Sequence, residues 1–499
     1  MASKRDQLHA YQFLVQRVIS ALVTRETDPE QPPFRRPVNA AFGGIAIAVI
    51  MLAAVGIYGL LNPGGNQTWA DGKKVVVEKE TGTRYVYLDG RLHPVENYTS
   101  ALLALGDHAE TVSVSRDSLA GVPRGPRIGI PDAPDALPGA DGLLKDPWTL
   151  CSQPAPDLTG TIVPTSVLMV GQTTHGGLAL GAEGVLVDVP ETAERYLVLR
   201  GYRHLISKPD QLAVGLALHA TPAVRVSPAL VESIPAGRPI APVPVAQMGQ
   251  PARVVGPDVR AGQLFAVSTS RGVQYYLAEV GQLRPITELQ YDIQRAYQET
   301  AKAYPNQEPR ALPLGLIEAS GAPQPSAAPP KPGDPPAVRP DFVQVGDEST
   351  VCLTVTAEAD VPRVTVAPVM PKVDPMSATP KRTEQGTVLA DRVVVPAGRA
   401  ALVEAVPSAD TPRGTFLVVT DQGIAYPLAS ADVLKVFGYD GVKPVRVPAG
   451  LVARIPLGTG LSHEAALQRF PVSSPGGGLG PPLAPRRPAS APPATGPRR

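Results

Sequence analysis

Between Asp6 and Thr24 apolar side chains recur every three or four positions: Leu8, Tyr11, Leu14, Val15, Val18, Ile19 and Leu22. That is the period of one helix face. Ser3 and Asp6 resemble a capping box in which Asp stands for the usual Glu or Gln. The pattern predicts one amphipathic helix, ended before Asp28-Pro29. A helix alone cannot bury such a stripe, so it must lie on a membrane surface or on a partner. Gln31-Pro32-Pro33 and Arg36-Pro37 read as a stiff connector.

The pattern changes at Ala40. From there to Leu61 no residue is charged. At ~1.5 Å per residue the stretch reaches about 33 Å, enough to cross a bilayer core. A buried soluble helix rarely lacks charge for so long. A cleaved signal peptide starts nearer the N-terminus and has a shorter apolar run. The stretch is therefore expected to be an uncleaved membrane anchor. Lys4, Arg5, Arg17, Arg25, Arg35 and Arg36 precede it, and the first cations after it are Lys73 and Lys74. This bias places the N-terminus in the cytosol and the rest of the chain outside it. Tyr58 and Trp69 would mark the outer interface.

Beyond the anchor a strand–turn–strand pattern occurs four times: YVYLDGRLHPV (Tyr85–Val95), YLVLRGYRHLI (Tyr196–Ile206), YLAEVGQLRPI (Tyr276–Ile286) and VVTDQGIAYPL (Val418–Leu428). Gly90, Gly201, Gly281 and Gly423 hold the same position, where a tight hairpin needs a positive φ. Helix-like stretches follow at Tyr98–Leu105, Pro209–Leu218, Thr287–Ala303 and Ser430–Phe437. Then come paired prolines, Pro123/Pro131, Pro228/Pro235, Pro305/Pro313 and Pro448/Pro456. The uneven spacing of the copies argues against a regular solenoid.

The chain has 499 residues with a net charge of +1, so no basic field recruits nucleic acid. With 58 prolines, 47 glycines and 5% aromatics, the composition favours small β-rich units with many turns over one large α/β core. Two cysteines exclude a four-thiolate zinc site. Cys151 and Cys352 fall in the two insertions, after the first and third copies. In an oxidising compartment they can pair and gather both insertions into one central body; the alternative is two unrelated buried thiols. Closing so long a loop adds roughly 5 kcal/mol in the chain-entropy model.

Candidate chemistry is sparse. Gly72-Lys73-Lys74 is the nearest approach to a phosphate loop, but Gln67 holds the first glycine position and Lys74 the Ser/Thr position. The seven histidines (His9, His93, His108, His175, His204, His219 and His463) are scattered, without metal-ligand spacing. His93 and His204 share a repeat position, which suggests a common turn role. Ser462-His463-Glu464 are neighbours in sequence, which does not make a triad. Glu78 and Glu80 read as a solvated strand face. No catalytic, cofactor-binding or metal residue is assigned.

The opening MASKRDQLHAYQFLVQRVISALV, the PPFRRP connector and the single span together resemble the EccB family of type VII secretion. The resemblance extends to the hairpin repeats, the Cys151/Cys352 pair and the Pro-rich C-terminus. It implies an inner-membrane core subunit with four repeat lobes around a disulfide-held central domain. The implied partners are the EccC ATPase, EccD and EccE, the mycosin protease, further copies of the chain, the lipid bilayer and WXG100-type substrates. ATP enters only because family members are sometimes described as ATPases.

The expected fold is α+β: an amphipathic helix, one transmembrane helix and an elongated exported region of four lobes around a β-rich centre. The expected boundaries are a cytosolic segment 1–39, a span 40–61, lobe 1 at 62–131 and a first central part at 132–180 with Cys151. Lobe 2 follows at 181–250, lobe 3 at 251–318 and a Pro-rich linker at 319–339. A second central part at 340–385 holds Cys352, then lobe 4 at 386–470 and a tail at 471–499 without the apolar residues to fold. The functional expectation is a scaffold of a secretion channel. A membrane-anchored cell-wall-binding module and an exported hydrolase or ATPase are the alternatives.

Overall fold

The computed structural model describes residues 3–25, 35–61, 67–212, 218, 221–326, 329–359, 361–372, 378–408 and 410–469. The connector at 26–34, part of the helix-like stretch at 213–217 and the tail at 471–499 lie outside these residues.

Helix α1 spans Lys4–Thr24. Its capping box forms as the sequence suggests: Ser3 Oγ accepts from the Arg5 amide at 3.2 Å, and Asp6 Oδ2 accepts from the Ser3 amide at 3.0 Å. Helix α2 spans Arg35–Leu61, so Arg36-Pro37 belongs to the helix and not to a connector. Pro37 is tolerated because the first-turn amides have no intrahelical acceptor. The stretch apolar enough to cross a membrane is Val38–Gly59, with mean hydropathy 2.5 and no part buried in the protein.

Four sheets with one topology follow. The first contains β1 (Val75–Glu78), β2 (Arg84–Leu88), β3 (Arg91–Pro94), helix α3 (Tyr98–Leu105) and β4 (Thr111–Val114). Its strand order is β3-β2-β1-β4, antiparallel except for the parallel β1–β4 pair. After it come β5 (Leu143–Leu144), β6 (Trp148–Pro156), β7 (Ile162–Val170) and β8 (Leu178–Ala179). The second repeat contains β9 (Val185–Val189), β10 (Glu194–Leu199), β11 (Tyr202–Leu205), α4 (Pro209–Leu212), β12 (Ala223–Arg225) and α5 (Pro228–Ser233). The third contains β13 (Leu264–Thr269), β14 (Gly272–Glu279), β15 (Gln282–Ile286), α6 (Glu288–Ala296), β16 (Ala311–Pro313) and α7 (Leu316–Gly321). Strands β17 (Val351–Val355), β18 (Arg363–Val366) and β19 (Arg392–Val394) precede the fourth repeat. That repeat contains β20 (Ala400–Val406), β21 (Thr415–Thr420), β22 (Ala425–Pro427), α8 (Asp432–Val436), β23 (Val445–Pro448), α9 (Ala449–Val452) and α10 (His463–Ala466).

Each repeat is thus a four-stranded unit, two strands larger than the sequence pattern suggests. Its first strand is a short apolar run, and its fourth pairs in parallel with the first through a crossover that local periodicity does not reveal. The proline signature also needs correction. In every copy one proline carbonyl accepts from the third strand: Pro123 from Leu92 at 2.9 Å, Pro235 from Arg203 at 3.0 Å, Pro323 from Leu283 at 2.7 Å and Pro456 from Ala425 at 2.9 Å. The equivalents of Pro235 and Pro456 are therefore Pro123 and Pro323, not Pro131 and Pro313. Lobe 3 accordingly runs past 318 through α7, where Ala319 is buried. The Pro-rich segment behind it is not a free linker either: the Gly333 carbonyl accepts from Arg238 at 2.8 Å and the Ala337 carbonyl from Leu289 at 3.0 Å.

Both insertions meet in one six-stranded sheet, β19-β7-β6-β17-β18-β8. Because β19 pairs in parallel with β7, the central part extends to Val394, beyond 385. In exchange β5 joins the sheet of lobe 4, Leu143 opposite Ala400. One face of the central sheet, with Trp148, Leu150 and Leu353, shares a core with apolar residues of lobes 2 and 4. Lobe 1 packs on lobe 4 through α3, Tyr426 and Phe437, and lobe 2 on α6 of lobe 3 through Leu212, Leu289 and Ile293. The spatial order of the lobes is 1-4-2-3. Trp69 belongs to the lobe 1 core, edge-on to Tyr87 at 5.5 Å, so it is not an interface marker.

Candidate functional site

The exposed apolar face of α1 is the strongest candidate for a binding surface. Leu8, Tyr11, Leu14, Val18 and Leu22 are each more than half exposed, from 51% at Val18 to 79% at Leu22. Val15 and Ile19 are half-buried on the same side. The 21 residues of α1 precede a 27-residue helix whose side chains are also bare, among them Phe42, Ile47 and Leu52. Apolar area left uncovered on this scale needs another phase or another protein.

The other predicted positions are structural. Gly90, Gly201, Gly281 and Gly423 all have positive φ, between 71° and 77°. In the first two hairpins Asp89 and Arg200 are left-handed as well, the type I′ arrangement that matches strand twist. Cys151 and Cys352 are directly opposed on β6 and β17 and form a disulfide, both fully buried among Val167 and Met169.

His93 and His204 do share a role. Nδ1 of His93 lies 3.0 Å from the Pro126 carbonyl and Nδ1 of His204 lies 2.8 Å from the Arg238 carbonyl. Each ring packs on a glycine two residues beyond the signature proline, Gly125 and Gly237, where a Cβ would collide with it. Tyr426 takes the same place against Gly458 in the fourth copy. In the third copy Arg284 occupies the position and turns instead to Glu279, 2.6 Å away. Burial pushes the His204 imidazole below its ordinary value, keeping it neutral.

Glu78 corrects another expectation. It is buried, receives Arg116 Nε at 2.9 Å and accepts from the Tyr85 hydroxyl at 3.1 Å. The Arg116 hydrogen bond holds its carboxyl below the usual range. Glu80, in the turn after β1, accepts from the Arg116 amide at 2.9 Å. Ser462 caps α10 by accepting from Ala465 at 3.0 Å, while His463 Nδ1 meets the Leu103 carbonyl at 2.7 Å. These neighbours point to different tasks. Gly72-Lys73-Lys74 runs from a 3-10 turn (Thr68–Asp71) into β1, the reverse of the strand–loop–helix order that cradles phosphates.

Two contacts escaped the sequence reading. Arg454, 5% exposed, reaches from the segment after α9 to Glu232 on α5 at 2.6 Å. It ties lobe 4 to lobe 2 across 222 positions of sequence. Ser166 and Asp391 bond reciprocally: Asp391 Oδ2 accepts from the Ser166 amide at 2.8 Å, and Ser166 Oγ accepts from the Asp391 amide at 2.9 Å. The proline pairs Pro228/Pro235 and Pro448/Pro456 relate the segments of α5 and α9 in sequence, but do not reveal that the two helices touch.

The family described as "Type VII secretion system ESX-1, transport TM domain B" matches residues 1–472. ESX-1 secretion system ATPase EccB1 of Mycobacterium tuberculosis is 30% identical over 276 residues, 54% of this chain and 56% of that protein. The chain therefore spans about half the length of that relative. ESX-2 secretion system ATPase EccB2 of the same organism is 27% identical over 486 residues, 93% of this chain and 94% of that protein. A chain of an intact ESX-5 inner membrane complex superposes with a TM-score of 0.57 at 22% identity, covering 98% of both chains. One from an EccB3 dimer of the ESX-3 core complex gives 0.56 at 22% identity, over 79% of this chain and all of that one. At such identities the structures attest a shared fold.

Proposed function

The chain belongs to the EccB family, and we propose that it is a structural core subunit of a type VII secretion system that scaffolds the membrane complex by association at three levels. Helix α1 docks on the cytosolic side through Leu8, Tyr11, Leu14, Val18 and Leu22. Helix α2 anchors the subunit in lipid. The four lobes and central sheet stand on the far side of the membrane and associate there.

The exposed stripe on α1 carries this reading, because it is apolar, capped into a helix and uncovered. Burying a side chain such as Leu14 contributes roughly 1.5–3 kcal/mol, so five of them suffice for a specific contact. The occupants on this side would be the EccC ATPase and the other membrane components EccD and EccE. On the exported side they would be further copies of this chain and the mycosin protease, with WXG100-type proteins as passengers. The orientation rests on the cations at Lys4, Arg5, Arg17 and Arg25, which favour the cytosolic face. The name ATPase is carried by relatives; the reversed order around Gly72-Lys73-Lys74 supports a scaffold over a nucleotide enzyme for this chain.

The test is the double substitution Leu14→Asp, Val18→Asp. The complex should fall apart on a native gel while the exported part keeps its melting transition and disulfide. An intact complex carrying the double variant would overturn the proposal.

A further inference from the structure

A cavity of about 200 Å³ lies between the hairpin of lobe 2 and the Pro-rich segment that follows lobe 3. One wall is formed by Arg200, Tyr202 and His204 from β10–β11, the other by Lys331, Pro332 and Asp334. The second wall is held in place. The Gly333 carbonyl accepts from the Arg238 amide at 2.8 Å, Asp334 Oδ1 pairs with Arg238 Nε at 3.2 Å, and Asp334 Oδ2 accepts from the Lys331 amide at 2.8 Å. Gly333 has a φ of +82° and lies against the Tyr202 ring, 3.1 Å from where its Cβ would stand. The cavity is part of the folded body and not a gap left by a loose loop.

Its polar groups are complementary to one kind of ligand. His204 is 2% exposed and lines the cavity. The Arg238 carbonyl can only accept, so it fixes the proton on Nδ1. That leaves Nε2 as an acceptor, and among the described residues it has no donor. Arg200 and Lys331 bring two positive charges, and neither has an acidic partner among the described residues. Asp334 is already committed to Arg238 and to the Lys331 amide. Tyr202 and Pro332 supply flat apolar surface of the sort that packs on a sugar ring.

We propose that this cavity binds a small hydroxylated carboxylate of sugar-acid size. The carboxylate is held by Arg200 and Lys331, and one ligand hydroxyl donates to Nε2 of His204. The equivalent position in lobe 1 holds His93, which also meets a carbonyl through Nδ1. Lobe 2 is distinguished by the segment at 331–336 laid across its hairpin, so the site is specific to this lobe. The inference is independent of the assembly role of α1.

Glucuronate is the probe, titrated calorimetrically into the full chain in nanodiscs. Saturable one-site binding is expected, weakened at least tenfold in the double variant Arg200→Gln, Lys331→Gln. Glucose, which lacks the carboxylate, and acetate, which lacks the hydroxyls, should each bind at least tenfold more weakly than glucuronate. A glucuronate-terminated oligosaccharide separates a free acid from a polymer end as the natural source; equal or tighter binding favours the polymer end, weaker binding the free acid, and both keep the site. The double variant should retain the wild-type melting temperature, since both side chains are exposed. The proposal is overturned if glucuronate does not bind the full chain, or if it binds the double variant as tightly as the wild type.

Discussion

A methyl group added at Gly237 has nowhere to go. It would collide with the His204 ring and stand 2.8 Å from the Gly333 carbonyl. Gly237→Ala should therefore cost about 2–3 kcal/mol, as overpacking does. Gly90→Ala meets open space at a φ of +75° and should cost only about 1 kcal/mol. Urea unfolding of the two variants checks the order, and equal losses would contradict it. His204 gives a second test. The unfolded chain takes up this proton near pH 6.5, whereas the buried folded imidazole takes it up only at lower pH. The unfolded state thus binds more protons in that window, and stability must fall as the pH drops below about 6.5. Desolvation is the main cause; nearby Asp334 and the Arg238 carbonyl work against it. Melting followed from pH 7 to pH 5 should show the fall, and a smaller one in His204→Gln. At this scale the sequence was informative where one residue has one job. The turn glycines and the His93/His204 equivalence were legible because a positive φ and a repeated position leave marks in the text. Glu78 misled because its partner Arg116 is far along the chain and pairs only after β1 and β4 meet.

At the scale of elements, hairpins and helices were readable and crossovers were not. Two antiparallel strands and their glycine turn form a contiguous signal, so β2–β3 and its three counterparts stood out. The outer strands β4, β12, β16 and β23 have four residues or fewer and pair in parallel with distant partners. Short helices α5 and α9 were visible as text but owe their placement to packing. They meet at the junction of lobes 2 and 4, where Arg454 is a buried charge and Glu232 sits at the edge, its side chain 41% exposed. Removing the acid strands a buried guanidinium that, among the described residues, retains only the Gly450 carbonyl at 3.0 Å. Glu232→Ala should cost roughly 2 kcal/mol. Glu232→Leu with Arg454→Met should recover most of that, because an apolar pair removes the stranded charge as well. Denaturant titration of the single and double variants decides. A double variant no more stable than Glu232→Ala would show that the ion pair positions the two lobes.

At the scale of the whole molecule, the order 1-4-2-3 differs from the order of synthesis because the central sheet takes strands from both insertions. Chain entropy opposes bringing β6 and β17 together over 201 residues, and the disulfide between them offsets part of that cost in an oxidising compartment. The same cross-link in the cytosol would have little rationale. In the proposed topology the uncharged helix Val38–Gly59 separates an exposed apolar helix before it from a disulfide-stapled four-lobed body after it. The most direct test fuses alkaline phosphatase, active only outside the cytosol, or β-galactosidase, active only inside it, after Arg469 of the chain. That topology predicts an active phosphatase and a silent galactosidase. An active galactosidase with a silent phosphatase would contradict it.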